Sequence, residues 1–171
     1  MQIIAQTDHH VAAIERLLDL TFGPDRHEKT VYRLREGIAP VPPLSFVIEN
    51  GSGLAATLRF WPVMLPDGRV ALLLGPIAVR PDLAGKGYGR ALMRHGIEAA
   101  RAQGWPAILL VGDEPYYGRL GFTRAAAARL ELPGPVDAAR FLALELVPGA
   151  LDGVAGTVGR VEGAAVLQAG G

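Results

Sequence analysis

Three glycines at alternate positions are the residues of this sequence best suited to chemistry. Gly85, Gly87 and Gly89 follow an apolar segment and precede one with helical periodicity, so they form a turn between a strand and a helix. Glycine has no Cβ, so the backbone amides of the turn stay uncovered and can converge on an anion at the helix N-terminus. The spacing predicts a phosphate site. Lys86, one of two lysines in the chain, lies in this turn, where it either contacts the anion or is a solvated residue.

Two common nucleotide motifs do not fit the turn. A phosphate-loop NTPase requires Gly-x-x-x-x-Gly-Lys-Ser/Thr, which no position of the chain satisfies. The dinucleotide fingerprint Gly-x-Gly-x-x-Gly fails because its last position is Arg90 when counted from Gly85 and Leu92 when counted from Gly87. The turn also lies mid-chain, whereas those folds open with their nucleotide-binding strand. NTP hydrolysis and nicotinamide-dependent oxidoreduction are therefore disfavoured.

Composition narrows the class of protein further. The chain has 171 residues, of which 50% are hydrophobic and 20% charged, and this favours one globular domain. With 17 basic and 17 acidic residues, the formal net charge is +0, so no global field attracts nucleic acid or an anionic membrane. The absence of cysteine excludes a cysteinyl acyl-enzyme, a disulfide and a thiolate metal site.

The N-terminal residues and the histidines carry no targeting or metal signal. The segment 1–6 lacks the basic region and apolar run of a signal peptide, and no apolar run approaches the roughly 20 residues of a membrane span. We therefore expect a soluble, cytoplasmic protein.

His9, His10, His27 and His95 lack the spacing of metal ligands, and no carboxylate completes a set, so we expect surface histidines and no metal.

The elements around the glycine turn must hold it at one end of a sheet. Val70–Val79 is almost wholly apolar, as is typical of a central strand. Gly75-Pro76 predicts a bulge or splayed edge just before Ile77, because proline has no amide hydrogen. Ala107–Val111 follows as a second buried strand, so strand, helix and strand form a right-handed parallel crossover. The helix between them carries an apolar face made of Leu92, Met93, Gly96, Ile97 and Ala100.

Local patterns assign the remaining elements. Asn50-Gly51-Ser52-Gly53 predicts a hairpin, and the strand that follows it alternates cleanly as far as Pro62. Gly121-Phe122 is expected to open a further strand. The other expected elements are a short strand at 3–4, a helix with Val11 and Ile14 on its apolar face, a second helix that ends near residue 37, and a strand at 141–147.

The glycine turn occurs together with a second motif. Val79-Arg80-Pro81 ends the apolar strand and is followed by Ala84-Gly85-Lys86-Gly87-Tyr88-Gly89, and Tyr116-Tyr117-Gly118-Arg119-Leu120-Gly121-Phe122 follows the next strand. These segments resemble two signatures of the GNAT superfamily of acetyl-CoA-dependent N-acetyltransferases, Gln/Arg-x-x-Gly-x-Gly/Ala and Phe-Tyr-x-x-Leu-Gly-Phe. Val111-Gly112-Asp113 is similar to a bacterial, largely uncharacterised branch of predicted acetyltransferases. Ala84 departs from the signature, which removes a side-chain contact but leaves the amides.

The resemblance covers nearly the whole chain in its order of elements. It implies the acyl-CoA N-acyltransferase fold, an α/β (α+β) fold with a mixed, mostly antiparallel central sheet, a parallel splayed strand pair and flanking helices. It implies an N-acetyltransferase domain at 1–148. The remaining segment, 149–171, is rich in glycine and alanine and has little periodicity, so we expect a C-terminal tail that is either wrapped against the domain or partly disordered. The implied partners are acetyl-CoA as co-substrate and a small-molecule or peptide amine as acceptor. Homodimers are frequent in the family, and no nucleic acid or membrane partner is expected.

Binding residues follow from the same resemblance. The implied pyrophosphate site consists of the backbone amides of Gly85, Lys86, Gly87, Tyr88, Gly89 and Arg90. The backbone of Ile77, Ala78 and Val79 would pair with the pantetheine arm, and an amide near Val79 would polarise the thioester carbonyl. The predicted bulge before Ile77 would separate the two parallel strands and make room for that arm.

The candidate catalytic residues are Tyr117 as general acid and Asp113 as general base. Tyr117 would act as general acid on the leaving thiolate, because a thiol with a pKa of roughly 8.5 and a tyrosine with a pKa of roughly 10 are nearly matched. Tyr116 is expected to be the packing residue of the pair. Asp113 is the preferred general base over Glu49 and Glu114, because it follows a strand next to the glycine turn; a solvated or capping role is the alternative for each.

The predicted function is transfer of an acetyl group from acetyl-CoA to a primary amine by direct attack in a ternary complex. The alternative is a non-catalytic acyl-CoA-binding or sensing module, which would have no need of a proton donor at Tyr117. Arg26, Arg33 and Arg35 lie where the family forms its acceptor wall. They are expected to form a solvated face, with binding of an acidic acceptor as the alternative.

Overall fold

The chain forms nine strands and four α-helices in the computed structural model, which describes residues 2–161. The helices are α1 (Val11–Phe22), α2 (Thr30–Arg35), α3 (Tyr88–Ala102) and α4 (Glu114–Tyr117). The strands are β1 (Ile3–Ala5), β2 (Phe46–Asn50), β3 (Gly53–Met64), β4 (Val70–Val79), β5 (Ala107–Val111), β6 (Leu130–Glu131), β7 (Phe141–Glu145), β8 (Gly156–Thr157) and β9 (Gly159–Arg160).

Seven of the strands form one central sheet in the order β1-β2-β3-β4-β5-β7, with β9 paired to β3. Neighbouring strands are antiparallel except β4 and β5, which are parallel and are joined by α3. This confirms the predicted parallel crossover and the predicted class of sheet. β6 and β8 pair separately as a short parallel ladder.

The two long helices cover opposite faces of the sheet. Apolar residues of α1 pack against Val47 and Ala78, whereas α3 packs against the alternate side chains Leu58 and Phe60. A Cβ at Gly96 of α3 would lie 2.6 Å from Cε2 of Phe60, so the helix lies close against the sheet. The predicted apolar face of α3 is buried at all five positions. No helix within residues 2–161 is long and apolar enough to cross a membrane.

The parallel strands separate at the predicted position. β4 pairs with β5 only at Leu72 and Leu73, and the register of β4 against β3 shifts opposite Gly75-Pro76, whose peptide bond is cis. Beyond this point β4 continues along β3, while β5 continues along β7. The two strands therefore leave a gap between them, and the glycine turn lies after the end of β4.

Several sequence-based expectations need correction. β3 continues through Pro62 to Met64, and Val11 is 40% exposed. Gly121-Phe122 opens no strand, because single turns of 3₁₀ helix on both sides leave room for only one isolated bridge, from Thr123 to Ala143. The expected tail contains β8 and β9, which pair with β6 and β3, as a tail wrapped against the domain would. The rest of the predicted tail, 162–171, lies outside the described residues.

Candidate active site

The glycine turn forms an uncovered set of amides at the start of α3. Gly85 and Gly87 have φ of +78° and +88°, a left-handed conformation that favours glycine, and a Cβ at either position would meet nothing within 4 Å. Within residues 2–161, the amides of Gly85 and of residues 87–90 donate to no acceptor. Because α3 is 15 residues long, its dipole adds to the attraction for an anion at this end.

A cleft of about 570 Å³ occupies the gap between β4 and β5. One wall consists of Leu74–Ile77 from β4, and the other consists of residues 110–113 at the end of β5. α2 and the segment 135–137 also line the cleft. The hydroxyl of Thr30 donates a hydrogen bond to the carbonyl of Pro135, so these two parts are tied together.

Tyr117 lies in this cleft with its ring against Gly112. A Cβ at Gly112 would come within 2.8 Å of the Cδ2 atom of Tyr117 and closer still to Cε2, so only glycine leaves room for the ring. Burial raises the pKa of Tyr117 above its ordinary value of 10.0; Tyr116 and Asp113 raise it further, and Arg140 opposes them. The phenol is therefore protonated at neutral pH, as a proton donor must be.

Tyr116 connects the cleft to the glycine turn. Its side chain is 44% exposed, and its hydroxyl lies 3.7 Å from the position of a Cβ at Gly89. Tyr117 is the partner that packs on the core, with Phe122 as an edge-on neighbour. The expectation that Tyr116 is the packing residue is therefore wrong. The motif spacing alone could not decide this, because both residues lie on one short helical turn.

The three candidate bases lie in different surroundings. Asp113 lines the cleft, and its carboxylate accepts a 3.1 Å hydrogen bond from Nε of Arg140. Glu114 accepts a 2.7 Å hydrogen bond from the backbone amide of Arg124. Glu49 lies on β2, outside the cleft, and its carboxylate contacts His10. Of the three, Asp113 alone lines the cleft.

The expectation for the histidines is wrong for His10. Its side chain is buried, and Glu49 and His9 bring their polar atoms within 4.8 Å of its ring, so a carboxylate does complete the set. The amide of Thr7 donates to Nδ1 of His10 at 2.9 Å, which leaves Nε2 as the donor to Glu49 at 2.6 Å. Both ring nitrogens are thus used in joining the start of α1 to β2.

The arginines near α2 are mostly buried. Arg26 and Arg35 are 3% and 7% exposed, so the expected solvated face is wrong for both, whereas Arg33 is exposed. Arg26 pairs with Glu15 and, at 2.9 Å, with Asp19. These hydrogen bonds, together with one to Tyr32, outweigh the effect of burial and raise its pKa. Burial lowers the pKa of Arg35 to about 10.

Comparisons with known proteins agree with this geometry. Residues 11–122 match the model of the acetyltransferase (GNAT) family. The chain is 30% identical over 147 residues to the uncharacterised N-acetyltransferase YhbS of Escherichia coli strain K12, covering 85% of this chain and 87% of that protein. It is 38% identical over 108 residues to a second uncharacterised N-acetyltransferase of that strain, YjhQ, covering 61% and 60% of the two chains.

Two solved structures are similar over almost their full length. The crystal structure of Escherichia coli YhbS in complex with CoA matches with a TM-score of 0.79 and 28% identity, covering 94% of this chain and 89% of that one. A GNAT family acetyltransferase of Brucella melitensis in complex with acetyl-CoA matches with a TM-score of 0.70 and 27% identity, covering 96% and 97%. Both proteins were solved with a coenzyme A ligand.

Proposed function

Because the chain belongs to the acetyltransferase (GNAT) family, we propose that it transfers the acetyl group of acetyl-CoA to a primary amine of a small molecule or peptide. One observation carries the proposal. A turn with uncovered amides lies directly after a strand that separates from its parallel neighbour, so an anion site and a slot for an extended arm occur side by side. This is the arrangement that a ligand with a pyrophosphate and a long thiol arm requires.

The residues present fit coenzyme A. Its pyrophosphate would take the free amides of Gly85 and of residues 87–90, at the positive end of the α3 dipole, whereas the amide of Lys86 donates to the carbonyl of Leu83 at 3.4 Å. Its pantetheine arm would lie along Ile77–Val79, where β4 has left β5. Lys86 and Arg90 are exposed beside the turn and would add positive charge. The CoA complexes of the YhbS and Brucella proteins support this assignment.

The proposed reaction needs no covalent enzyme intermediate. The amine nitrogen attacks the carbonyl carbon of the thioester, a C–N bond forms, and the C–S bond breaks. Tyr117 gives its phenolic proton to the departing thiolate and recovers a proton from solvent. A backbone amide near Val79 would stabilise the oxyanion. The chain contains no cysteine that could carry the acetyl group.

Asp113 is our candidate for the group that accepts the proton of the amine. It lines the cleft next to Tyr117, and its largely exposed carboxylate is held by Arg140. An α-amine, with a pKa of about 8, needs less help than a lysine side chain, with a pKa of about 10.4. We therefore expect Asp113→Asn to slow acetylation of a lysine-like amine more than acetylation of an α-amine. Equal slowing would exclude Asp113 as the base.

Thiol release from acetyl-CoA tests the function. The amines to be tried are simple amines, amino acids, polyamines, aminoglycosides and peptide N-termini, with Tyr117→Phe as the diagnostic variant. Loss of the general acid lowers kcat by about 10²- to 10⁴-fold while acetyl-CoA still binds. A variant that turns over like the parent would refute the role of Tyr117.

Ligand binding separates an enzyme from a sensing module. At 100 times its dissociation constant, acetyl-CoA should stabilise the protein by about 2.7 kcal/mol, and NAD should not. Stabilisation without thiol release for any amine would favour the non-catalytic module. The absence of any acetyl-CoA shift would exclude both functions.

A further inference from the structure

We propose that the acceptor amine carries a carboxylate and that the buried guanidinium of Arg35 binds this carboxylate. The proposal rests on the proposed function and names the substrate class of the same cleft. It rests on the observation that the guanidinium of Arg35 is buried and forms no salt bridge within residues 2–161.

Among the described residues, the polar side chain that favours the charged form of Arg35 is Tyr32, and no carboxylate pairs with the guanidinium. Its side chain forms no salt bridge within residues 2–161, and its Nε atom is buried without a hydrogen-bond partner. Leaving a buried polar group unpaired costs free energy, and an unpaired charge costs more. Buried polar groups of native proteins are nearly always hydrogen-bonded, so an unpaired one requires an explanation. The bond that Arg35 lacks is therefore one that a ligand can supply.

Neighbouring carboxylates do not compensate Arg35. Three arginines, Arg26, Arg35 and Arg59, are buried together, and the acids that form salt bridges with this cluster are Glu15 and Asp19. Glu15 is shared between Arg26 and Arg59, and Asp19 contacts Arg26. One positive charge of the cluster stays unmatched, and it belongs to Arg35.

The unmatched charge faces the cleft. Arg35 lines the cleft, and its Nη2 atom lies 3.0 Å from the position of a Cβ at Gly75, where β4 separates from β5. Four cationic side chains line this cleft against two carboxylates, although the whole chain has no net charge. The carboxylates are Asp113, which is held by Arg140, and Asp137, which accepts a hydrogen bond from the amide of Ala139. Neither carboxylate forms a salt bridge with Arg35 within residues 2–161.

The surroundings of the guanidinium favour a planar anion. Its Cζ atom lies over two aromatic rings, 4.8 Å from the ring centroid of Tyr32 and 5.5 Å from that of Trp61. The N–H groups at its edge remain as donors, and this edge matches the two oxygens of a carboxylate. A single unmatched positive charge also corresponds to the single negative charge of a carboxylate.

The first test uses the unmodified protein and four isosteric amines. Glutaminamide has no carboxylate, glutamine has the α-carboxylate, isoglutamine has the γ-carboxylate, and glutamate has both. We expect at least one carboxylate form to exceed glutaminamide in kcat/KM by about 10- to 100-fold, as for a charge-assisted bond made in a desolvated site. The series also shows which carboxylate is bound. Leucine and leucinamide provide a second pair with an apolar side chain.

The second test compares Arg35→Met with Arg16→Met. Arg16 is exposed on α1 and does not line the cleft, so its variant makes the same change of residue and net charge elsewhere. The measured quantity is the ratio of kcat/KM for each carboxylate amine to that for its amide, because this ratio cancels changes in overall activity between variants. Arg35→Met should bring this ratio close to that of the uncatalysed rates of the two amines in solution, whereas Arg16→Met should leave the ratio unchanged. An unchanged ratio in Arg35→Met overturns the proposal.

The outcomes for the function and for the acceptor class can be told apart. Acetylation of amines without any preference for carboxylates supports the function and overturns this inference. If no amine is acetylated, thermal shifts in the presence of CoA still test it with N-acetylglutamate and N-acetylglutaminamide as probes. A larger shift for N-acetylglutamate that disappears in Arg35→Met supports the carboxylate site, and equal shifts overturn it.

Discussion

Replacement of Gly112 by alanine isolates the placement of Tyr117. Gly112 has no positive φ, so the backbone accepts alanine, and the obstacle is the aromatic ring. The new Cβ would come within 2.8 Å of Cδ2, whereas ordinary contact begins at 3.4 Å, and it would come closer still to Cε2. The ring must therefore move by roughly 1 Å, and a displacement of that size costs about 10²-fold in rate when it affects a reacting group.

The variant should remain folded. Overpacking of this kind costs about 1–3 kcal/mol, whereas domains have about 5–15 kcal/mol of stability. We expect kcat for thiol release to fall by about 10²-fold, with the KM for acetyl-CoA nearly unchanged, because the glycine turn is untouched. The assay is thiol release at saturating acceptor, alongside thermal unfolding.

Two comparisons make this prediction specific. Gly118→Ala is the matched control, because Gly118 has φ of −59° and a Cβ there would lie 4.0 Å from the nearest atom, Cγ of Glu114. Gly112→Ala should also cost little more in a Tyr117→Leu background, since the ring it displaces is already absent. Full activity in Gly112→Ala, or an undiminished loss in the double variant, would refute the reasoning.

Three further predictions concern the glycine turn, the packing of α3 and the pH profile. Gly87→Ala should weaken acetyl-CoA binding, because φ of +88° is strained for alanine and the methyl group would partly cover the amides. The control is Gly104→Ala, with φ of +84° at the other end of α3, which should cost similar stability without changing the Kd for acetyl-CoA. Equal effects of the two variants on this Kd would contradict the assigned site. Gly96→Ala should lower the melting temperature, because overpacking against Phe60 costs about 1–3 kcal/mol, whereas the better helix propensity of alanine contributes about 1 kcal/mol. A higher melting temperature would show that α3 is not closely packed against the sheet. The kcat/KM for acetylation of an α-amine should fall only above pH 10, because the raised pKa of Tyr117 keeps this acid protonated at lower pH. Arg140→Met should move the fall in kcat/KM to higher pH, since Arg140 lowers the pKa of Tyr117. A fall at the same pH in this variant would exclude Tyr117 as the titrating group.

The parts of the site that local sequence determines were predictable. Alternating glycines define an uncovered turn whatever surrounds it, and the apolar period of α3 identified each buried position of that helix. Gly75-Pro76 likewise predicted the separation of β4 from its neighbour, because proline cannot donate a ladder hydrogen bond.

The parts that depend on distant segments were not predictable. The burial of Arg35 on α2 depends on Trp61 of β3, and no period in the sequence reports packing between these two elements. The segment 135–137 and Arg140 also line the cleft, although they follow both motifs in the sequence and belong to neither. The buried ring of His10 finds its hydrogen-bond acceptor 39 residues away, in the carboxylate of Glu49. The neighbours of these residues are distant in the sequence, so their burial and contacts become visible only in the tertiary structure.

The separation of β4 from β5 also moves two sheet edges into the interior of the molecule. Unpaired backbone at the perimeter of a sheet invites strands of other molecules and promotes aggregation. Here the unpaired backbone of both strands faces the cleft, behind α2 and the segment 135–137. A foreign strand would have to enter the cleft to reach it. We therefore expect the gap to offer strand-pairing groups to a slender ligand in the cleft and to withhold them from the strands of other proteins.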